Sequence, residues 1–298
     1  MSNDGLLLCR LEHLGLLELS GKDARTFLQG QVTNDVRLLD GRRSHLSAYC
    51  NPQGRLLALF LAFAHQDHLH LQFQNSLLEA VQKRLMTYVL RAQVQVRRNS
   101  EIVKFGIYGH GATALLSSLF TPLPDMAEWD LVTLDTCTLI RLPGQQPRYE
   151  ILSNANHAPS IWSALAPKST TVNWAFWEWL DIEAGIPEIY PTTQGLFVPQ
   201  VLNLEQLGAL SFNKGCYTGQ EIIARTHYLG KVKRQMYATN TVTSCVAGDV
   251  LYDALGREQG HVVRVAPNPK GGYALLVEKP VTQSSATLTV HGQPLVSA

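Results

Sequence analysis

The stretch K-G-C-Y-T-G-Q-E, residues 214–221, lies just before the point where the sequence pattern of this 298-residue chain changes. Before it, helical and strand patterns alternate. After Gly230, apolar segments separated by Gly, Pro and Asn turns predict strands only. These segments are 236–242, 249–252, 260–265, 273–278 and 287–290. The sequence therefore predicts an α+β protein that ends, from about residue 231, in a small C-terminal β-barrel.

Within this stretch, Thr218 and Glu221 have the spacing of a capping box, which predicts a helix that begins at Thr218. Cys216 would then lie just before the positive end of the helix, with Lys214 two residues away. A helix N-terminus and a neighbouring cation both favour the thiolate form of a cysteine. The pattern predicts that Cys216 is a nucleophile or a soft metal ligand. The alternative is a small buried hydrophobic residue, as most free cysteines are.

The cysteine count limits the chemistry further. The total of five is odd, and the other four are scattered without a C-x-x-C pair: Cys9, Cys50, Cys137 and Cys245. No disulfide framework and no zinc or iron–sulfur ligand set follows from such spacing, so any cluster that Cys216 contacts needs ligands from a partner or a second chain. The N-terminus lacks the features of a signal peptide, and the longest uncharged apolar run, 56–64, is too short to span a membrane. We expect a protein of the reducing cytoplasm.

Local patterns predict the other elements. Strands are predicted at 6–8, 16–19, 56–64, 68–73, 93–97, 103–108, 131–142 and 149–152. Helices are predicted at 22–29 after Ser20, at 77–88 after the capping box of Ser76 and Glu79, at 112–120, and at 160–166 after Pro159. The glycine-rich turn of a dinucleotide fold is missing and hairpins outnumber crossovers, which favours an antiparallel α+β design.

A second informative stretch is N-W-A-F-W-E-W-L-D-I-E-A-G, residues 173–185, which predicts a helix capped by Asn173 and ended by Gly185. It holds three of the five tryptophans: Trp174, Trp177 and Trp179. Such a cluster is either core or a stacking wall for a flat heteroaromatic ligand. Glu183 faces the negative end of the helix dipole. It is either a solvated surface residue or an acceptor for an amino-pyrimidine edge.

A basic run follows the first stretch: Arg225, His227, Lys231, Lys233 and Arg234. Such a run is suited to an anionic polyglutamate tail or to RNA phosphates, or it forms a solvated face. Lys and Arg total 25 against 24 Asp and Glu over the whole chain. This balance excludes a globally basic nucleic-acid-binding protein and allows a local patch.

Five motifs together resemble one family: residues 21–25 (GKDAR), 28–36 (LQGQVTNDV), 182–187 (IEAGIP), 197–204 (FVPQVLNL) and 214–221. Over nearly its whole length the chain resembles the YgfZ family of folate-binding proteins, which are relatives of the glycine-cleavage T-protein. The resemblance implies a three-domain ring around a central folate cleft. The first domain would comprise 1–47 and 103–228, an inserted ferredoxin-like domain 48–102, and the C-terminal barrel 229–298.

The resemblance also implies tetrahydrofolate as the ligand and a role in assembling or maintaining iron–sulfur proteins, including tRNA-thiolating enzymes. The pterin-holding glutamate of the T-protein falls on Glu183, and a folate-associated tryptophan of the family falls on Trp177. A second such tryptophan falls on Leu14. We therefore expect three folate-binding residues: Trp177, Glu183 and Arg225. We expect the reactive group to comprise Cys216 with Lys214, Tyr217, Gln220 and Glu221, and we expect no metal ligands.

One departure concerns catalysis. The acidic residues that the T-protein carries after a glycine-rich turn correspond here to Leu56, Leu57 and Ala58, which follow the turn 51–54. No general base is left at this place, so the sequence predicts that T-protein aminomethyl transfer is absent. Three functions remain open: an iron–sulfur accessory factor that binds tetrahydrofolate, a folate-dependent one-carbon transferase or demethylase that uses Cys216, and a non-catalytic RNA or protein adaptor that uses the basic run.

Overall fold

The computed structural model describes residues 5–120, 123–283 and 288–297. The first six strands, β1 to β6, are Leu7–Arg10, Leu14–Ser20, Ser44–Cys50, Leu56–His65, His68–Gln74 and Gln95–Arg98. The next five, β7 to β11, are Ile102–Tyr108, Leu131–Thr133, Thr138–Leu142, Arg148–Asn154 and Thr170–Thr171. The last seven, β12 to β18, are Arg234–Thr241, Val250–Tyr252, Glu258–Pro267, Tyr273–Pro280, Thr289–Val290, Gln293–Pro294 and Val296–Ser297.

Within the described residues, six α-helices join these strands. Helices α1 to α6 are Ala24–Gln29, Leu78–Thr87, Ala112–Leu119, Ala158–Leu165, Trp174–Glu183 and Gln220–Leu229. Short 3₁₀ turns occur at Val36–Leu38, Asn75–Leu77, Ala166–Lys168, Pro191–Thr193, Pro199–Leu202 and Val281–Gln283. Helices are thus fewer than strands, and the α+β prediction is confirmed.

The first sheet has the order β11-β1-β7-β10-β9-β8 and is antiparallel except where β11 joins β1. Helices α3 and α4 cover one face, where Leu116 and Ile161 pack against Phe105. The opposite face meets α5 and the second sheet. The single strand predicted at 131–142 is wrong. The segment forms the hairpin β8–β9, because Leu134 N–H donates to the carbonyl of Cys137 (2.8 Å) and closes a tight turn.

The second sheet has the order β3-β4-β5-β2-β6 and is antiparallel throughout. Strand β3 has no counterpart among the sequence predictions, because its pattern mixes polar residues with apolar ones. Its Ser47 is nevertheless buried, and the hydroxyl accepts a hydrogen bond from Asn34 N–H (3.0 Å). Strand β2 lies within the predicted first domain and β3 crosses its boundary at residue 47, yet both pair with strands of the predicted second domain. The proposed domain boundaries therefore do not follow the sheets, and they remain a prediction.

The third sheet has the order β17-β16-β13-β14-β15-β12-β18 and is antiparallel. It takes the form of a curled sheet where the sequence predicts a barrel. Four of the predicted strands correspond to β12–β15, and the fifth corresponds to β16, except that Thr287 lies outside the described residues. Buried residues on β14 and β15, including Val263 and Leu276, join the core of the second sheet. Contacts between β14 and α5 link the third sheet to the middle of the chain.

The helix caps were predicted with mixed success. The Asn173 cap of α5 is confirmed, because its side chain accepts a hydrogen bond from Ala175 N–H (2.9 Å). The caps at Ser20 and Ser76 are wrong, since α1 begins after Asp23 and α2 begins after Leu77, neither with a side-chain cap. The Asp23 carboxylate instead accepts from the distant Gln93 N–H (2.7 Å). Tertiary contacts override the local signal at these two places. Within the described residues, no helix is long and apolar enough to cross a membrane.

Candidate functional site

Cys216 differs from the other four cysteines in exposure. All five are free, and Cys216 is the exposed one. Burial raises the pKa of the Cys9 thiol to about 12 and the pKa of the Cys137 and Cys245 thiols to about 11. Burial raises the pKa of Cys50 still further. Thiolate chemistry near neutral pH is therefore closed to these four cysteines, and Cys216 is the thiol that solvent reaches.

The residue two positions before this thiol is a buried anchor. Lys214 is 8% exposed, and its Nζ donates to the carbonyl oxygens of Val32 (2.5 Å) and Asn34 (2.8 Å). Burial lowers the pKa of Lys214 to about 8. No described contact joins Lys214 to Cys216. The cation that the sequence places beside the thiol is bound instead to the backbone of a segment about 180 residues earlier.

Further hydrogen bonds tie the same two segments together. The Thr33 hydroxyl donates to the carbonyl of Ala209 (2.8 Å), and Asn34 Nδ2 donates to the carbonyl of Gly208 (2.8 Å). In the same region, Ser211 N–H donates a hydrogen bond to the carbonyl of Thr33 (3.0 Å). Thr33 is fully buried. The segment that leads into Cys216 is thus fastened along its length to residues 32–34.

The capping box predicted at Thr218 is wrong. Helix α6 begins at Gln220, and its N-cap residue is Gly219, which has a left-handed backbone (φ +83°) and makes no side-chain cap. Gly219 lies against the turn at 51–54: a Cβ there would be 2.5 Å from Asn51 O and 2.9 Å from Gly54 Cα. Only glycine allows this approach and this φ together. The contact between the two loops, rather than a threonine cap, decides where the helix starts.

The remaining residues of the stretch divide into buried and exposed groups. Tyr217 is 7% exposed, packs in the core below the second sheet, and holds the Lys214 ammonium 5.0 Å from its ring centre. On α6, Gln200 Nε2 donates to the carbonyl of Ile223 (2.8 Å) and fixes the helix from the FVPQ motif. Gln220 is half-buried, while Glu221 is exposed in the first turn. Lys214 and Tyr217 therefore hold the loop while Cys216 faces solvent.

A separate cavity of about 50 Å³ lies where the three sheets meet. Phe60 and Phe73 of the second sheet, Arg148 of the first and Arg264 of the third all line it. Arg148 is fully buried, and its Nε and Nη1 have no hydrogen-bond partner among the described residues. The Oε1 of Gln72, another lining residue, also lacks a partner in this part of the chain. The cavity thus offers unused donors and an unused acceptor.

An ionic network surrounds this cavity. Asp181 accepts from Arg148 on one side and from Arg264 Nη2 (2.6 Å) on the other. Arg264 also donates to both carboxylate oxygens of Glu178 (2.8 and 3.1 Å). Burial opposes the ionisation of Glu178, but Arg264 holds the pKa of that carboxyl below its usual range. Two buried guanidinium groups are thereby fixed in place by carboxylates of α5.

Glu188 is a further carboxyl side chain in the cavity lining, besides Asp181 and Glu150. It is 7% exposed, lines the cavity, and accepts a hydrogen bond from Ile189 N–H (2.7 Å). Burial raises the pKa of Glu188 to about 8, although Arg264 acts in the opposite direction. The group therefore keeps its proton at neutral pH and is able both to donate and to accept a hydrogen bond.

The three residues expected to bind folate lie outside the lining of this cavity. Trp177 is 1% exposed, packs on Gly106, where a Cβ would be 2.5 Å from its ring, and stacks on the Arg148 guanidinium (4.5 Å). Glu183 is exposed and accepts from Gln145 Nε2 (3.3 Å). Arg225 is exposed on α6. Trp177 thus contacts Arg148, which lines the cavity, but does not line it itself. Leu14, at the second tryptophan position, lines the cavity directly.

Curated proteins include relatives of this chain. No protein-family model matches the chain. A relative from Klebsiella pneumoniae (strain 342), named tRNA-modifying protein YgfZ, is 33% identical over 253 residues, which cover 84% of this chain and 77% of the relative. A relative of the same name from Colwellia psychrerythraea is 34% identical over 235 residues, or 78% of this chain and 71% of the relative.

The chain belongs to the YgfZ family. Among solved structures, the glycine cleavage system aminomethyltransferase T from Bartonella henselae is similar in fold, with a TM-score of 0.81. The match covers 100% of this chain and 86% of that one at 19% sequence identity. The fold that the resemblance implies is confirmed by this match.

In this YgfZ-family chain, the positions after the turn at 51–54 are not available for acid–base chemistry. Leu56 and Ala58 lie at the start of β4 and are fully buried. Arg55, just before them, is exposed and donates to the carbonyl of Leu196 (2.8 Å). Leu56, Leu57 and Ala58 carry no ionisable group, and the absence of T-protein chemistry stays a prediction.

Sequence reasoning missed the ionisable residues around the cavity: Arg148, Glu150, Glu178, Asp181, Glu188 and Arg264. One signal for them was present. Arg264 interrupts the apolar strand V-V-R-V-A, and Glu188 follows the helix stop G-I-P within an otherwise apolar run. A charged residue in such a position is expected to be paired when buried. Which charges pair with which depends on contacts between distant segments, and the YgfZ motifs do not include them.

Proposed function

We propose that this protein is a folate-linked factor for tRNA modification that acts through the exposed thiol of Cys216 and supports iron–sulfur proteins, including tRNA-thiolating enzymes. One observation carries the proposal. The motif segments 28–36, 197–204 and 214–221, together with the turn at 51–54, converge to hold a loop whose one outward-facing thiol is Cys216. The name of the relatives, tRNA-modifying protein, supports the process in which we place it.

For the folate, we infer that the pterin ring binds in the cavity between the three sheets. Its chemistry suits a pterin: Arg148 and Gln72 have unpartnered polar atoms, and Glu188 is able to donate or accept. Phe60 and Phe73 supply apolar walls. The present volume of about 50 Å³ is below the roughly 300 Å³ at which small-molecule sites begin. The sheets must therefore separate slightly when the ligand enters.

The two sites are separate in the structure. None of the cavity-lining residues belongs to the stretch 214–221. We therefore infer that the Cys216 thiol does not contact a pterin bound in this cavity. This arrangement supports the accessory-factor hypothesis over a one-carbon transferase in which Cys216 attacks the folate, because a covalent step needs the reacting atoms about 3–3.5 Å apart.

The roles of the other expected residues follow from where they lie. We propose that Trp177 holds the Arg148 guanidinium in place by stacking, and that Glu183 and Arg225 lie outside the pterin site. Lys214 and Tyr217 position the thiol loop, while Gln220 and Glu221 form the first turn of α6.

The proposed function is tested in a strain that lacks its own YgfZ-family gene. Expression of this protein should restore both the thiolated tRNA nucleosides, measured by mass spectrometry, and the specific activity of iron–sulfur enzymes in extracts. Restored iron–sulfur activity without restored nucleosides would place the function elsewhere in iron–sulfur metabolism. Failure of both, with the protein present in soluble form, would contradict the proposal.

A further inference from the structure

Positive charge is concentrated in the segment that carries the exposed thiol. Residues 214–234 contain five Lys or Arg residues and one acidic residue, a net charge of +4 in 21 positions. The whole chain has a net charge of +1, so the other 277 residues together carry −3. Such a distribution is the electrostatic footprint of a surface that binds a polyanion.

Three of these cations are free to bind a ligand. Arg225 on α6 and Lys231 and Lys233 just after it are exposed. No hydrogen bond or ion pair joins their side chains to another residue of the described ranges. The two other cations of the segment are already engaged: Lys214 binds backbone carbonyls, and Arg234 pairs with Glu278. Three unpaired cations within nine residues suit contacts to successive phosphates.

An aromatic residue, Tyr228, lies between these cations in the sequence. Tyr228 is 66% exposed, and its ring meets His227 edge-on at 4.6 Å. His227 in turn stacks on Phe212 at 3.9 Å and pairs with Glu205. Tyr228 is therefore supported from behind, with most of its surface open to solvent. Aromatic rings presented in this way among cations are the common means by which proteins stack unpaired bases.

Arg225 and Tyr228 lie on one face of α6, and Lys231 and Lys233 follow the end of the helix. Ile222, Arg225 and Leu229 follow each other at three- and four-residue spacing, and Tyr228 adjoins them. Leu229 is 83% exposed and Ile222 is 40% exposed, so the face carries apolar surface beside its charge. The helix begins four residues after Cys216 and is about 15 Å long. A polyanionic chain bound along this helix would extend toward the loop that carries Cys216.

We propose that this basic surface, formed by Arg225, Tyr228, Leu229, Lys231 and Lys233, binds a single-stranded segment of RNA such as a tRNA loop. The inference deepens the proposed function by naming a partner of the thiol site, and it rests on that function. Single-stranded RNA matches both features of the surface, since it offers phosphates to the cations and unstacked bases to Tyr228 and Leu229. An acidic protein would use the cations but has no bases to stack on Tyr228.

Fluorescence anisotropy with a labelled RNA hairpin, whose loop is unpaired, tests the proposal on the full-length protein. The triple variant Arg225→Gln, Lys231→Gln, Lys233→Gln should lose at least about tenfold in affinity, and the slope of log affinity against log salt should fall by about two, since each single-strand phosphate contributes about 0.7. Tyr228→Ala should weaken binding severalfold with the slope unchanged, and should weaken binding to a fully paired duplex less.

A matched control removes three exposed cations elsewhere: Lys22→Gln, Lys83→Gln and Arg91→Gln. This variant has the same net charge as the first triple variant and should bind the hairpin as the wild type does. Equal losses in both triple variants would overturn the proposal, because they would show a general charge effect. No saturable binding up to about 100 µM at low salt, the weak end of non-specific RNA affinity, would also overturn it.

The same assay distinguishes an RNA partner from an acidic protein partner. It also tests the basic surface separately from the proposed role of the thiol. Tighter binding of a labelled polyglutamate peptide than of the hairpin would overturn RNA in favour of an acidic protein partner. Cys216→Ser should bind the hairpin as the wild type does, because the thiol is not part of the basic surface. Loss of RNA binding in that variant would contradict the assignment of the surface, whatever its effect on tRNA thiolation.

Discussion

Lys214 Nζ donates a 2.8 Å hydrogen bond to the backbone carbonyl of Asn34, a residue 180 positions earlier in the chain. With the second bond to Val32, it makes the lysine a structural tie between two motifs that the sequence shows only as separate stretches. The loop that carries Cys216 is therefore rigidly placed at one end by Lys214 and at the other by Gly219.

Replacing Lys214 tests the first tie. Lys214→Met keeps the apolar stem but leaves two buried carbonyls without a donor, which should lower the free energy of unfolding by about 1–3 kcal/mol. Urea unfolding followed by tryptophan fluorescence measures the change, with the exposed Lys22→Met as the control. Unchanged stability, together with slower alkylation of Cys216, would show instead that Lys214 acts as a charge partner of the thiol.

Two glycines of the same motif provide a matched pair for the second tie. Gly219→Ala places a Cβ 2.5 Å from Asn51 O at a φ of +83°, whereas Gly215→Ala meets nothing within 4 Å. The first variant should lose about 1–3 kcal/mol of stability, the usual cost of a strained backbone, and the second should lose far less. Unfolding curves of the two variants give the comparison. Equal stability would mean that the loop does not depend on its contact with the turn at 51–54.

The thiols should differ strongly in reactivity. With a limiting amount of iodoacetamide at neutral pH, Cys216 should be alkylated before the other four, because it is exposed and burial raises the pKa of each of the others. Peptide mass spectrometry gives the order of modification. Modification of Cys50 or Cys9 as early as Cys216, in protein shown to be folded, would contradict the description of the site.

Glu188 predicts a pH dependence of stability. Its pKa is about 8 in the folded protein against an ordinary value of 4.5, so between these values the folded state holds a proton that the unfolded state releases. Stability from this group is therefore complete at low pH and is lost as pH rises toward 8, by at most about 1.4 kcal/mol per pH unit. Glu188→Gln should remove this dependence, so its stability relative to the wild type should grow over the same range. If the stabilities of the wild type and of Glu188→Gln changed in parallel with pH, the raised pKa of Glu188 would be excluded.

Folate binding should depend on the cavity more than on the helix end. Arg148→Lys keeps the charge that pairs with Asp181 but loses the fork of donors, and tetrahydrofolate affinity should fall by about 1.5–3 kcal/mol, as for a lost hydrogen bond to a charged group. Glu183→Gln, on the exposed side, should have a much smaller effect. Titration calorimetry with reduced folate measures both. A larger loss at Glu183 than at Arg148 would restore Glu183 as the pterin-binding residue.

The sequence could predict what local chemistry determines. The Asn173 cap and the stop at Gly185 fix α5 from its own residues, and Gly185 has the positive φ (+67°) that such a stop requires. The start of α6 could not be predicted, because the Gly219 contact with Gly54 joins segments 165 residues apart. The pairing of Arg264 with Glu178 was hidden for the same reason. Charged residues inside apolar strands were visible, but their partners were not.

The central claim is that the function passes through the exposed thiol, and the thiolated fraction of tRNA in a complemented deletion strain tests it most directly. Cys216→Ser keeps the shape of the side chain but replaces a soft, acidic thiol with a hydroxyl. The neighbouring exposed Asn213→Ser serves as the control for a mutation in the loop. At equal protein levels, the wild type and Asn213→Ser should restore the thiolated nucleosides and Cys216→Ser should not. Full restoration by Cys216→Ser would contradict the account.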